Sequence, residues 1–485
     1  MCDYIKILIL QKRRGEELLK LSENKTYYRV LKILAITLFT IAFFRYFFSD
    51  SFIWVIKDGY YGGVYYNESD IWQTFLRWGQ YTSYVVLPMA VFYKSKLFKN
   101  IAIFFCLPFS VLNVIFFSEF MKYFVSDPNG WFVLNQNARA IYFIFELVIS
   151  ISIPLMFIAE KDFKYIKSNI KKKEFWLDVW KQARIVLLLL PIILLALMPV
   201  YVPQSLFGYT RIDMGAFTLA NILWIVLTIA ELWILYLIFR FKDRRARQML
   251  VMFLALQLFM HYNAVFLMGF NIGRLPIQLC NMGAYFFVIA LLLKKQKFFN
   301  FVFLANVMGT LLAMLMPDVN GGIASFWNIH FLIEHMQVLV VPMLCMMLRI
   351  FERPGKRAYL HLVIGFSCYF LFCLIAGTII NGFEQELGQG RVNFFYIFDV
   401  ARAADEIPLI AFMQNNHLVI GRFEFYPLFQ VFMYFGFLIL CLVLLGGIRK
   451  FCEILDDHME LREHKIQMQE KRTGKKSKAP RVLPE

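Results

Sequence analysis

The chain has 485 residues, 60% of them apolar, 18% aromatic and 18% charged, with a formal net charge of +17. Soluble chains average about 45–50% apolar and about 25% charged, and here the charge is confined to short clusters between apolar runs of 17 to 26 residues. That pattern excludes intrinsic disorder, a soluble enzyme domain and a secreted disulfide scaffold, and also a membrane barrel, whose alternating strands give far weaker runs.

Residues 1–30 mix apolar and basic positions and predict an amphipathic helix along the inner membrane surface, with no cleavable signal peptide. Twelve spans follow: 31–49, 75–92, 100–121, 139–159, 183–202, 215–239, 248–269, 275–293, 298–316, 327–348, 358–380 and 425–447. Each is close to the roughly 20 residues that a hydrocarbon core about 30 Å thick requires. The fold class is therefore all-α and polytopic. With the N-terminus inside, 41 of the 51 Lys and Arg residues fall on inner segments. This predicts a multi-pass protein of the cell membrane with both termini cytoplasmic. It also removes nucleic acid as a partner, because the basic excess then faces cytoplasm and anionic headgroups. Membrane lipid is the expected partner.

Residues 160–182 have the same amphipathic character, with Phe163, Phe175, Trp176 and Trp180 as interface anchors. The sequence PDVNGG at 317–322 is a turn, and the outer loop 381–424 is long enough to carry function. Residues 451–485 begin as a charged helix and end in Lys475, Lys476, Lys478 and Arg481. The eight cysteines lack metal-type spacing, and no metal or organic cofactor is expected.

An internal repeat runs through the spans. An offset of 200 pairs Ala90 with Ala290, Lys94 with Lys294, Phe98 with Phe298 and Asn100 with Asn300. An offset of 188 pairs Glu146 with Glu334 and Pro154 with Pro342. The order is conserved between the matches, spans 2 and 4 against spans 8 and 10. This predicts two parallel six-helix halves, 31–240 and 248–450. Gln80 stands where the second half has Cys280, Tyr142 opposite His330, and Leu147 opposite His335. The first half is thus the degenerate copy.

In the second half, Cys280 lies five residues into its span and His335 eight into its own, depths of roughly 8 and 12 Å at helical rise. His330 and Glu334 are an i, i+4 pair. Gln278, Asn281 and Gln337 add polar groups nearby, and His261 approaches from span 7. Polar groups within a span usually face the bundle interior, so this concentration predicts a cavity. A Cys–His pair within it predicts nucleophilic catalysis, with the imidazole taking the thiol proton. A cysteine in an apolar helix is ordinarily packing material, and Glu334, having a counterpart in Glu146, has a structural reading as an acceptor in both halves.

Leu275, Pro276, Leu279 and Cys280, followed by His335 and Pro342, resemble the motifs of the YwaF-type integral membrane proteins, which have an LPLHLC-like start to one span and a His seven residues before a Pro in a later one. The resemblance covers about residues 248–450. That family includes relatives similar to cysteine-centred acyltransferases acting on lysophospholipids, which implies Cys280 as nucleophile and His335 as base. Gln278 departs from the family's frequent His, and the first half has no counterpart in the single-unit members. Two functions follow as expectations: a lipid acyltransferase or acyl hydrolase working in the outer leaflet, and a transporter or flippase built from two parallel repeats. A non-catalytic scaffold is a third, with little in the sequence to favour it.

Overall fold

In an apolar surround every backbone N–H and C=O must find its partner within the chain, and a helix meets that demand segment by segment. The computed structural model is accordingly helical, with two short antiparallel hairpins. It describes residues 25–44, 57–58, 64–65, 68–118, 136–160, 163–197, 215–263, 275, 277–317, 326–387, 391–399 and 407–473. The expected surface helix up to residue 24, Pro276, the turn beyond Pro317 and the basic tail from 474 lie outside the described residues.

The chain packs as two units, residues 1–208 with 263–270 and residues 209–262 with 271–485. The first contains α1 (Lys25–Phe44), the hairpin of β1 (Lys57–Asp58) and β2 (Val64–Tyr65), α2 (Glu68–Tyr93), α3 (Lys96–Ile115), α4 (Gln136–Ala159), α5 (Phe163–Asn169) and α6 (Lys173–Leu197). Within α3, residues Ala102–Cys106 widen into a π-helical turn. Pro108 follows two residues later, and the wider turn eases the clash of its ring with the carbonyl four residues back. Tyr27 and Tyr28 tie α1 to the end of α4, the first donating to the Met156 carbonyl at 2.6 Å and the second to Glu160 Oε1 at 2.9 Å. Lys99 completes this cluster with a 2.5 Å ion pair to Glu160.

The second unit contains α7 (Leu219–Phe239), α8 (Arg244–Asn263), α9 (Leu279–Leu293), α10 (Gln296–Leu315), α11 (Phe326–Met347), α12 (Arg357–Gly382), α13 (Glu384–Leu387), a 3-10 turn (Phe394–Tyr396), α14 (Pro408–Asn415), the hairpin of β3 (Leu418–Ile420) and β4 (Phe423–Phe425), and α15 (Pro427–Thr473). The sequence repeat predicts a division after residue 240, yet α7 packs with the second unit. The cause is polar: Asn221 Nδ2 donates to the Met314 carbonyl at 2.9 Å, and Trp224 Nε1 to the Leu332 carbonyl at 3.2 Å.

Each of the twelve expected spans overlaps a helix. Among the described residues, seven helices are long and apolar enough to cross a membrane: α3, α4, α7, α10, α11, α12 and α15. The apolar α9 has 15 residues, a length of about 22 Å. The count of twelve and the six-plus-six division are finer than this.

Positions paired by the repeat are used alike in the two units. Lys94 and Lys294 both close a helix in the left-handed region, at φ 48° and 53°, so that the next helix begins two residues later. Ala90 and Ala290 are buried, as are Asn100 and Asn300 and as are Glu146 and Glu334. Gly79 on α2 lies against Phe109 on α3, where an added Cβ would fall 2.0 Å from the ring. In the second unit the sizes are exchanged: Leu279 on α9 lies against Gly309 on α10, 3.2 Å from where a Cβ would sit.

Candidate functional site

Cys280 is the second residue of α9, whose first helical hydrogen bond runs from Met282 N to the Gln278 carbonyl at 2.9 Å. A first helical turn leaves N–H groups unpaired within the helix and carries partial positive charge. Both features favour an oxyanion at that place. Gly309 on α10 lies beside the sulfur, where an added Cβ would come within 3.8 Å of Cys280 Sγ. The thiol has the Thr310 hydroxyl and the Glu334 carboxylate as polar neighbours.

Glu334 continues into a histidine cluster. Its Oε2 lies 3.6 Å from His330 Nδ1. The His330 ring stacks on His261 at 4.6 Å between centroids, and His261 Nε2 reaches the His330 carbonyl at 3.2 Å. A carbonyl only accepts, so His261 carries its proton on Nε2, and its Nδ1 is the lone-pair nitrogen. That Nδ1, Glu334 Oε1 and Thr310 Oγ1 are buried with no hydrogen-bond partner among the described residues. Buried polar atoms normally find partners. Three without one, two of them neighbours of the thiol, mark a place suited to water or a polar group of a ligand.

The other expected site residues are placed as follows. His335 is buried on the face of α11 that meets α7, its ring 4.0 Å from that of Phe331, which in turn lies 6.0 Å from Trp224. Its Nδ1 donates to the Phe331 carbonyl at 2.8 Å, which leaves the lone pair on Nε2. No hydrogen bond joins Cys280 to His335 among the described residues. Gln278 turns away from the thiol and holds a strap of chain: Nε2 donates to the Asn393 carbonyl at 2.7 Å, and Oε1 accepts from Phe395 N at 2.8 Å. Gln337 donates to both carboxylate oxygens of Glu231, at 2.9 and 3.1 Å. Asn281 is half-buried and makes no hydrogen bond among the described residues.

Glu231 and Thr310 were not expected. Glu231 carried a signal, being an acid inside the apolar run of α7, and such a residue within a span is a functional candidate by default. Thr310 carried none, because a hydroxyl on an apolar helix is common and only the packing of α9 against α10 brings it to the thiol.

Apolar helices of spanning length, with polar side chains turned inward at one level, define a multi-pass helical membrane protein. Residues 206–445, just under half of the chain, match the model of the TMEM164 family, a family of membrane proteins. No curated protein and no solved structure matches the chain.

Proposed function

We propose that the second unit is a membrane-embedded lipid acyltransferase or acyl hydrolase with Cys280 as nucleophile. The observation that carries this reading is a thiol in the first turn of α9, bordered by Glu334 and Thr310 with unpartnered oxygens. In the reaction, Cys280 Sγ attacks the carbonyl carbon of an acyl ester. The thiol proton passes to His335 Nε2 and on to the departing alkoxide, leaving a thioester. A lipid hydroxyl or water then attacks the thioester, gives up its proton to the same nitrogen and releases the thiol. Glu334 and His330, with Asn281 and the first-turn N–H groups of α9, orient the pair or hold the oxyanion. For proton transfer, His335 must come within reach of the thiol directly or through one water. The resemblance to the YwaF-type proteins and their acyltransferase relatives supports the same roles. The reading places the site in the outer leaflet of the cell membrane, with both termini cytoplasmic.

A transporter or flippase is the second reading, favoured by the paired use of positions in the two units, above all Gly79 with Phe109 and Leu279 with Gly309. In that reading the two units are parallel copies, and Glu334 with the histidines is a substrate or proton site.

The test is labelling of the full chain in lipid nanodiscs with an alkyl iodoacetamide or acyl fluorophosphonate, mapped by mass spectrometry. Selective labelling at Cys280 that slows in His335→Ala is expected, with Cys280→Ser as the blank. Labelling no faster than at buried Cys345 or Cys441 would make Cys280 packing material and would move the transporter reading to first place.

A further inference from the structure

At the opposite end of the second unit, arginines from α7, α8 and the chain after α11 meet. Arg349 closes α11 in the left-handed region, at φ 54°, and this sharp stop turns the chain so that Arg353 comes back toward α15. Arg349 Nη2 and Arg353 Nη2 both donate to the same oxygen, Asp456 Oδ1, at 2.6 Å each. Arg247 enters from α8 and donates through Nη1 to the Leu348 carbonyl at 2.7 Å. Arg240, at the end of α7, lies over the Phe241 ring at 4.5 Å, and its guanidinium makes no hydrogen bond among the described residues. All of these but Arg247 surround Tyr236, while Arg247 has Arg244, Arg349 and the acid Asp243 as charged neighbours.

The nearby acids do not balance this charge. Asp243 Oδ2 accepts from Ala246 N at the start of α8, Glu453 pairs with Lys450, and a single oxygen of Asp456 serves two guanidinium groups. Nε of Arg240, Arg247 and Arg353 is buried with no hydrogen-bond partner among the described residues. Basic residues that merely orient a membrane protein are solvated side chains on loops. Half-buried guanidinium groups with unused donors are instead arranged for a planar, multi-oxygen anion.

We propose that Arg240, Arg247, Arg349 and Arg353 form a binding site for a phosphate group, borne by a phospholipid headgroup or free in solution. The phosphate oxygens accept from the unused Nε and Nη donors, and Asp456 holds two of the four arginines in place for them. The site is independent of the thiol and of the acyltransferase reading.

The test titrates dioctanoyl phosphatidylglycerol and inorganic phosphate separately into the full chain in detergent micelles, followed by calorimetry. Dioctanoylglycerol, the lipid without phosphate, is the blank. Saturable binding weakened at least tenfold by Arg240→Gln and by Arg353→Gln, and unchanged by Lys242→Gln on the exposed turn, is expected. Should Arg353→Gln unfold because Asp456 loses a partner, Arg240→Gln keeps the test, since that guanidinium holds no hydrogen bond. Binding of the lipid alone assigns the phosphate to a headgroup, and arginine-dependent binding of inorganic phosphate assigns it to the free anion. No saturable binding of either, no response to Arg240→Gln, or an equal loss in Lys242→Gln would overturn the proposal.

Discussion

Gln278 grips the backbone around Phe395 from both sides of its amide, accepting from Phe395 N at 2.8 Å and donating to the Asn393 carbonyl at 2.7 Å. The strap it holds is held elsewhere too. Asn381 brackets Val392 with two hydrogen bonds, and Phe395, in the left-handed region at φ 55°, sits among Phe366, Tyr369 and Phe437. A bulky residue is strained in that conformation, so the surrounding contacts must maintain it. Gln278→Ala strands a buried N–H and a carbonyl, at about 1–3 kcal/mol. The expected result is faster amide exchange over residues 392–399 and faster alkylation of Cys280, two residues away. Unchanged exchange would show that the aromatic packing suffices alone.

The exchanged sizes at Gly79 with Phe109 and Leu279 with Gly309 can be tested by transplanting one arrangement onto the other. Gly79→Leu alone places a side chain inside the Phe109 ring and is expected to destabilise by about 1–3 kcal/mol or more. Phe109→Gly alone leaves a cavity worth about 3–5 kcal/mol. The double variant is expected to recover much of both losses, giving a coupling energy of opposite sign to the single effects. Thermal unfolding in detergent measures it, and simple additivity would mean that the two contacts are not equivalent.

Glu231 has Gln337 as its hydrogen-bond donor. Gln337→Leu leaves that half-buried carboxyl without it and is expected to lower stability by about 1 kcal/mol. Glu231→Gln in the same background, which removes the carboxylate, restores most of the loss. If Glu231→Gln alone abolishes labelling of Cys280 while leaving the melting temperature unchanged, the acid belongs to the chemistry rather than to packing.

Near the hairpin, Glu424 Oε2 accepts from Arg391 Nη2 at 2.6 Å and from the Tyr426 hydroxyl at 2.9 Å. These hydrogen bonds, Arg391 first, hold the Glu424 carboxyl below its usual range. A carboxyl lowered by folding stabilises the fold above its unfolded value, about 4.3. That contribution is lost as pH falls through the lower folded value. Both side chains are more than a third exposed, so solvent screening keeps the effect small. Intrinsic-rate-corrected exchange of β3 and β4 is expected to be flat from pH 7 to about 4.3 and to rise below it. Arg391→Gln should flatten that rise.

The helical membrane class was legible because apolar run length is a direct consequence of bilayer thickness, and seven described helices have that length and composition. Lys94 and Lys294 are both left-handed helix ends. The placement of α7 was not legible, since it depends on Asn221 and Trp224 finding carbonyls on α10 and α11, contacts that leave no periodicity in the sequence. At the site, the sequence brought Cys280, Glu334, His330 and His261 to one level. Which of two adjacent residues on α11 faces the thiol depends on the rotation of that helix. There Glu334 is a polar neighbour of the thiol.

α15 runs without interruption for 47 residues, about 70 Å at helical rise, against a hydrocarbon core of about 30 Å. Asp456 divides it into an apolar stem and a charged arm. A stiff rod clamped at one point is a lever. A tilt of a few degrees about the clamp at Arg349 and Arg353 would swing the far end of the arm by a few ångströms. Whatever engages the arm is thereby mechanically coupled to the arginine cluster, without any rearrangement inside the bundle.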